Sequence, residues 1–169
     1  MYLSGERWVA HTLVLMYARP AKEAGVANII QRFTVNVPPD RVFQAMGTPD
    51  GLARWWTKTS EGTPEEGAEY RLFFGLEYDW RGKVTRYRPH SEFELEITKA
   101  HPDWVGTRVR CELEPEGSDS TRVRFYHTGW PTENEHWRVS CYCWAMYLRV
   151  MRRNLEHGEI VPYENRLDA

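Results

Sequence analysis

The chain has 169 residues, with 22 Lys and Arg against 24 Asp and Glu, for a formal net charge of -2. That length suits one ordinary domain burying roughly 70% of its unfolded surface without metal or disulfide staples, and the charge gives no general attraction for polyanions, so no nucleic-acid partner is expected. Aromatic residues reach 14% (8 Trp, 9 Tyr and 6 Phe), a large stock of bulky apolar area for a small protein.

Residues 1–26 read as an N-terminal extension of uncertain role. Their apolar stretch from Trp8 to Ala18 is interrupted by His11 and Thr12 and is too short to span a bilayer, so no membrane span is expected. A small-residue cleavage site of a secretory signal is missing. The only cysteines are Cys111, Cys141 and Cys143, with no C-x-x-C pair, which argues against a disulfide framework and for a cytoplasmic setting.

From Ala27 to Val37 the pattern alternates, with Ile29, Phe33, Val35 and Val37 on one face, and predicts a half-buried strand. Pro38 and Pro39 end it. A short helix over Arg41 to Met46 and another opened by Thr48 and Pro49, leading to Trp55 and Trp56, are expected next. Five strand-like segments follow, near 67–75, 78–88, 91–99, 104–114 and 120–129, and their short turns imply an antiparallel meander. Parity assigns the inner faces to Tyr70, Leu72 and Phe74; Trp80, Gly82 and Val84; Phe93, Leu95 and Ile97; Val109, Cys111 and Leu113; and Val123, Phe125 and His127. The outer faces then carry Arg108, Arg110, Arg122 and Arg124 opposite Glu94, Glu96, Glu112 and Glu114. Cross-strand ion pairs on a solvated face are the expected reading of these charges, ahead of a phosphate site.

Thr132 followed by Glu135 has the capping-box spacing, and Gly158 offers a stop, which together predict a helix of about 25 residues. Trp137, Cys141, Trp144, Leu148, Met151 and Leu155 form its apolar stripe. The inner face of the sheet is the only partner long enough for that stripe. The expected fold is therefore α+β in two layers: a six-stranded antiparallel curved sheet wrapped around a long C-terminal helix, with two short helices after the first strand.

This order of elements resembles the helix-grip fold of START-like (SRPBCC) proteins. The segments TVNVPPDRVFQAMGTPDGLARWW at 34–56, KVTRY at 83–87, STRVRFYHTGW at 120–130 and CWAMYLRVM at 143–151 resemble the branch named after the activator of the heat-shock protein 90 ATPase. The resemblance covers about residues 27–158, leaving 159–169 as a C-terminal tail. It implies a cavity between sheet and long helix that holds a small apolar molecule. It also implies two alternatives: a co-chaperone-like interaction domain, and an enzyme of the polyketide-cyclase or hydrolase type.

The residues placed to line such a cavity are Trp55, Trp56, Phe74, Trp80, Phe93, Phe125, His127, Trp144, Tyr147, Leu148 and Met151. For any one of these rings plain core filling is the default. Taken together, eight tryptophans are hard to pack without leaving space.

His127 is the one inward-facing base. With no carboxylate on the inner faces to orient it, a neutral histidine satisfied by neighbours is preferred to a general base. His127 or Tyr147 is the expected polar anchor for a ligand. Cys141 and Cys143 lie about 200° apart on a helix and cannot share a metal. His136 adds one further donor, which leaves a metal site incomplete. The Asp79–Arg81 and His101–Asp103 pairs read as turn chemistry. No phosphate-binding, dinucleotide or nucleophile motif is present, and neither cofactor nor metal is expected.

Overall fold

The computed structural model describes residues 27–168. Strand β1 (Ala27–Val35) leads to helices α1 (Pro39–Gly47) and α2 (Pro49–Ala53). Strands β2 (Thr59–Glu61), β3 (Glu69–Gly75), β4 (Tyr78–Arg88), β5 (Glu92–Lys99), β6 (Arg108–Pro115) and β7 (Thr121–Trp130) precede α3 (Glu135–His157). One antiparallel sheet runs in the order β1-β7-β6-β5-β4-β3-β2, and α3 packs across its concave side with the two short helices. The helix-grip architecture is present, with seven strands where six are expected. The added strand is β2, three polar residues paired to β3 from Thr59 opposite Phe73 to Glu61 opposite Arg71. Three residues without alternation carry no readable period.

The register explains the inner face. Leu72 lies opposite Trp80, Val84 opposite Leu95, Phe93 opposite Cys111 and Cys111 opposite Phe125, so the parity read from the sequence holds across β3 to β7. A bulge between Val84 and Arg86 changes the phase of β4 and turns Tyr87 inward against Phe93, whose ring lies 6.3 Å away. At the far end of β7, Gly129 takes a φ of 84°, a left-handed conformation available to glycine, and Trp130 beyond it is almost fully buried.

On the outer face Arg110 pairs with Glu94 and Glu112, Arg108 with Glu96, Arg124 with Glu114 at 2.8 Å, and Arg122 with Glu114 and Glu116. Each of these four arginines thus has a neighbouring carboxylate, as the cross-strand reading expects.

Helix α3 starts two residues later than the Thr132 spacing predicts. Asn134 is its N-cap, and the side-chain oxygen accepts the Trp137 N–H at 2.9 Å. Gly158 closes it with φ 69°, donating its N–H to the Asn154 carbonyl. Trp144, Leu148, Met151 and Leu155 of the predicted stripe are buried, whereas Trp137 and Cys141 near the N-terminal end are half-exposed.

The tail folds back. Arg166, only 6% exposed, donates to the carbonyls of Ala53, Thr57 and Val161 and lies over the Tyr163 ring. It thereby satisfies the carbonyl of Ala53 at the C-terminal end of α2 and that of Thr57 just beyond it.

Candidate functional site

The layer between sheet and α3 is aromatic throughout. Trp144 of α3 sits at its centre, with ring centroids of Phe125 at 4.6 Å, Trp56 at 4.9 Å and Trp104 at 5.9 Å. From Trp56 the contacts run outward through Phe74 at 5.5 Å to Trp80, 5.0 Å further on. Trp80 in turn meets Trp104 at 4.9 Å, and Tyr78 lies 6.4 Å from Trp80. Two members are pinned by backbone: Trp55 donates its indole N–H to the Ala45 carbonyl, and Tyr70 its hydroxyl to that of Gly47. Burial, with Tyr87 adding to it, keeps Tyr70 a neutral phenol, its pKa pushed well above the ordinary value.

Of the residues expected to line a chamber, Trp55, Trp56, Phe93, Phe125, His127, Trp144, Leu148 and Met151 are buried, and Phe74, Trp80 and Tyr147 are half-buried. The rings fill the space. A cavity bounded by Met46, Leu52, Trp55, Trp56, Phe93, Leu95, Val109, Cys111 and Phe125 together with Arg110 has a volume of about 10 Å3. That is about one water, against the 300–1,000 Å3 of a drug-sized ligand site. The open chamber expected from the number of tryptophans is not found there, because Trp104 and Trp130, which the strand pattern did not single out, enter the same layer. A wide polar groove of about 990 Å3 lies elsewhere, between α1, α2, the β2–β3 segment and the end of α3, with Arg41, Asp50, Arg54 and Glu61 among its walls.

His127 is fully engaged. The Trp144 indole donates to its Nδ1 at 2.9 Å, which requires the proton on Nε2, and Nε2 then donates to the Thr107 hydroxyl at 2.9 Å. The Thr107 hydroxyl in turn donates a hydrogen bond to the Trp104 carbonyl at 2.6 Å. Burial, with a smaller contribution from the charge of His136, pushes the His127 pKa down to about 3. Both nitrogens of this neutral imidazole have partners inside the fold, so it has no free atom to offer a substrate, and Tyr147 is the only expected polar anchor not so bound. Burial pushes the Tyr147 phenol up to about 12, with Tyr163 and Cys143 adding to it.

Tertiary structure assembles one group that the sequence leaves scattered. His101 and Asp103 of the β5–β6 loop and His136 in the first turn of α3 bring their donor atoms within 4.8 Å of one another. The Asp103 carboxyl is held below the usual range, foremost by its hydrogen bond to His136, although partial desolvation opposes the shift.

A long helix gripped by a single antiparallel sheet, with an aromatic layer between them, defines a START-like (SRPBCC) domain, a fold general to ligand-binding and cyclase-like proteins. Residues 36–156 match the Activator of Hsp90 ATPase homolog 1-like proteins, and the chain belongs to that family. The solution structure of the Aha1 dimer from Colwellia psychrerythraea is similar at 27% identity and a TM-score of 0.70, over 79% of this chain and 98% of that one. CalU16 from Micromonospora echinospora shares the fold at 22% identity and a TM-score of 0.64, over 83% of this chain and 84% of that one. A protein from Mesorhizobium loti does so at 15% identity and 0.70, over 79% and 100%. No curated protein matches the chain significantly. Among the described residues, no helix is long and apolar enough to cross a membrane.

Proposed function

We propose that this protein is a non-catalytic binding domain that takes a small, flat apolar molecule into the aromatic layer between sheet and α3, entering at the rim of Phe74, Tyr78 and Trp80. The supporting observation is the continuity of that layer, an unbroken run of ring contacts from the half-buried Phe74 and Trp80 to the closed centre at Trp144. With room for about one water, the layer admits a ligand only if rings move, so entry is slower than diffusion and part of the binding energy goes into displacing them. The saturation of His127 by Trp144 and Thr107 favours binding over turnover. Three free thiols fit a reducing, cytoplasmic setting.

The test is a tryptophan-fluorescence and thermal-shift titration against fatty acids, sterols and polyphenols. Saturable binding that Trp80→Ala weakens supports the reading; a panel that neither quenches nor stabilises the protein refutes it.

The closed interior also favours a second reading, a partner domain for a chaperone of the heat-shock protein 90 type, which needs no cavity. The tip of the β3–β4 hairpin, where Leu76 is 97% exposed beside Tyr78, has the apolar character of a docking point. Stimulation of such a chaperone's ATPase, lost in Leu76→Ser with Tyr78→Ser, would establish it in place of the first.

A further inference from the structure

We propose that His101, Asp103 and His136 form a binding site for one first-row divalent transition metal ion, Zn2+ foremost, which ties the β5–β6 loop to the start of α3. His101 Nδ1 lies 3.6 Å and His136 Nδ1 lies 3.0 Å from the same oxygen, Asp103 Oδ2. The edges of a zinc tetrahedron with bonds of 2.0–2.1 Å are ~3.3 Å, close to both histidine–carboxylate separations, and all three donor atoms lie within 4.8 Å of one another. The imidazole rings stand nearly perpendicular, at 83° with centroids 4.4 Å apart. Two neutral imidazoles and one carboxylate give a donor set of charge -1 with mixed nitrogen and oxygen character. Such a set suits Zn2+, Co2+ or Ni2+ and is poor for Ca2+ or Mg2+, which require oxygen.

The hydrogen bonding of the group holds the carboxylate firmly and His101 only loosely. His136 alone is explained as a hydrogen-bond donor to Asp103, and the Asn134 side-chain amide, donating to Asp103 Oδ2 at 3.2 Å, holds that carboxylate in place as an outer-shell partner does in metal sites. His101 is not explained this way. Its Nδ1 accepts the Asp103 backbone N–H over a long 3.3 Å and so carries a lone pair, 3.6 Å from the Asp103 carboxylate oxygen, which a metal ion would take over from that N–H. A second observation concerns the rings packed around His136. The rings of Trp104 and Trp130 lie 6.3 and 5.5 Å from His136, and their buried indole N–H groups find no acceptor among the described residues. Three protein ligands leave a fourth position for water, and a metal-bound water is an acceptor of the kind those donors lack.

The sequence disguises the site because 33 positions separate Asp103 from His136, and the first turn of α3 meets the β5–β6 loop only once the helix is docked.

The experiment uses the untagged full-length chain, stripped with chelator, dialysed against Zn2+ and Co2+, and followed by metal analysis, Co2+ absorption and thermal shift. The expected result is one equivalent bound, a rise in Tm with Zn2+, and affinity at least ~10-fold weaker in His101→Ala, whose exposed side chain is not needed for folding, with a matching loss in Asp103→Asn. Failure to bind one equivalent, or binding undiminished in both variants, overturns the proposal. Because the aromatic rim is untouched by these substitutions, ligand titrations on the same variants keep the two proposals separate.

Discussion

Replacing His127 by Leu removes a hydrogen-bond acceptor from the Trp144 indole and a donor to the Thr107 hydroxyl, in a site with no water access. A buried donor left without a partner costs about 1–3 kcal/mol, and loss of the second bond adds about 1, so the variant should be ~2–4 kcal/mol less stable at pH 7.5. The pH dependence gives the sharper test. With its pKa lowered to about 3 in the fold, His127 stays neutral while the unfolded chain, titrating near its ordinary ~6.5, takes up a proton. The stability that His127 confers is therefore complete above about pH 6.5 and is lost as pH falls from there toward 3, by about 1.4 kcal/mol per unit and on the order of 5 kcal/mol in all. Leucine takes up no proton in either state. The stability difference between wild type and His127→Leu should shrink steadily below pH 6.5 and vanish between about pH 3.5 and 5, when measured by urea unfolding followed by far-ultraviolet circular dichroism. A difference as large at pH 5 as at pH 7.5 would show that native His127 is charged, and would refute the closed chain from Trp144 through His127 and Thr107 to Trp104.

Arg166→Leu should cost about 2–4 kcal/mol in urea unfolding, because the carbonyls of Ala53, Thr57 and Val161 lose their common donor in a buried setting. Asn134→Ala should lower stability by about 1 kcal/mol through loss of the α3 cap, and Asn134→Ser should restore most of it. At Gly51 an added Cβ would lie 2.1 Å from the Gln44 carbonyl oxygen and 2.6 Å from that of Ala45, so Gly51→Ala should separate α1 from α2 and lower Tm by several degrees or more; an unchanged Tm would refute the close approach of those helices.

Where strands are regular, the architecture is legible in the pattern of residues. Alternation from Tyr70 to His127 places the inner faces correctly, and the spacing of Trp144, Leu148, Met151 and Leu155 identifies the buried side of α3. Legibility fails where a local event breaks the period. The bulge at Val84 and Arg86 sends Tyr87 inward, and Gly129 frees the backbone ahead of Trp130.

It fails as well where meaning depends on volume or long-range contact. Whether the tryptophans enclose a space or fill it is set by the rotamers of rings such as Trp56, Trp104 and Trp144, which no spacing rule contains. Arg166 shows no signal in a short polar tail until its carbonyl partners at Ala53 and Thr57 are known. His101 and Asp103 match turn chemistry equally well until α3 delivers His136.

The account rests on an aromatic layer that opens to admit an apolar guest. Native mass spectrometry of the protein taken directly from mild purification, and again after incubation with the ligand panel, measures this without a label. One apolar molecule bound per chain, retained by the wild type and lost in Trp80→Ala, is the predicted result; a bare-chain mass under every condition, with undisturbed tryptophan emission, would contradict it.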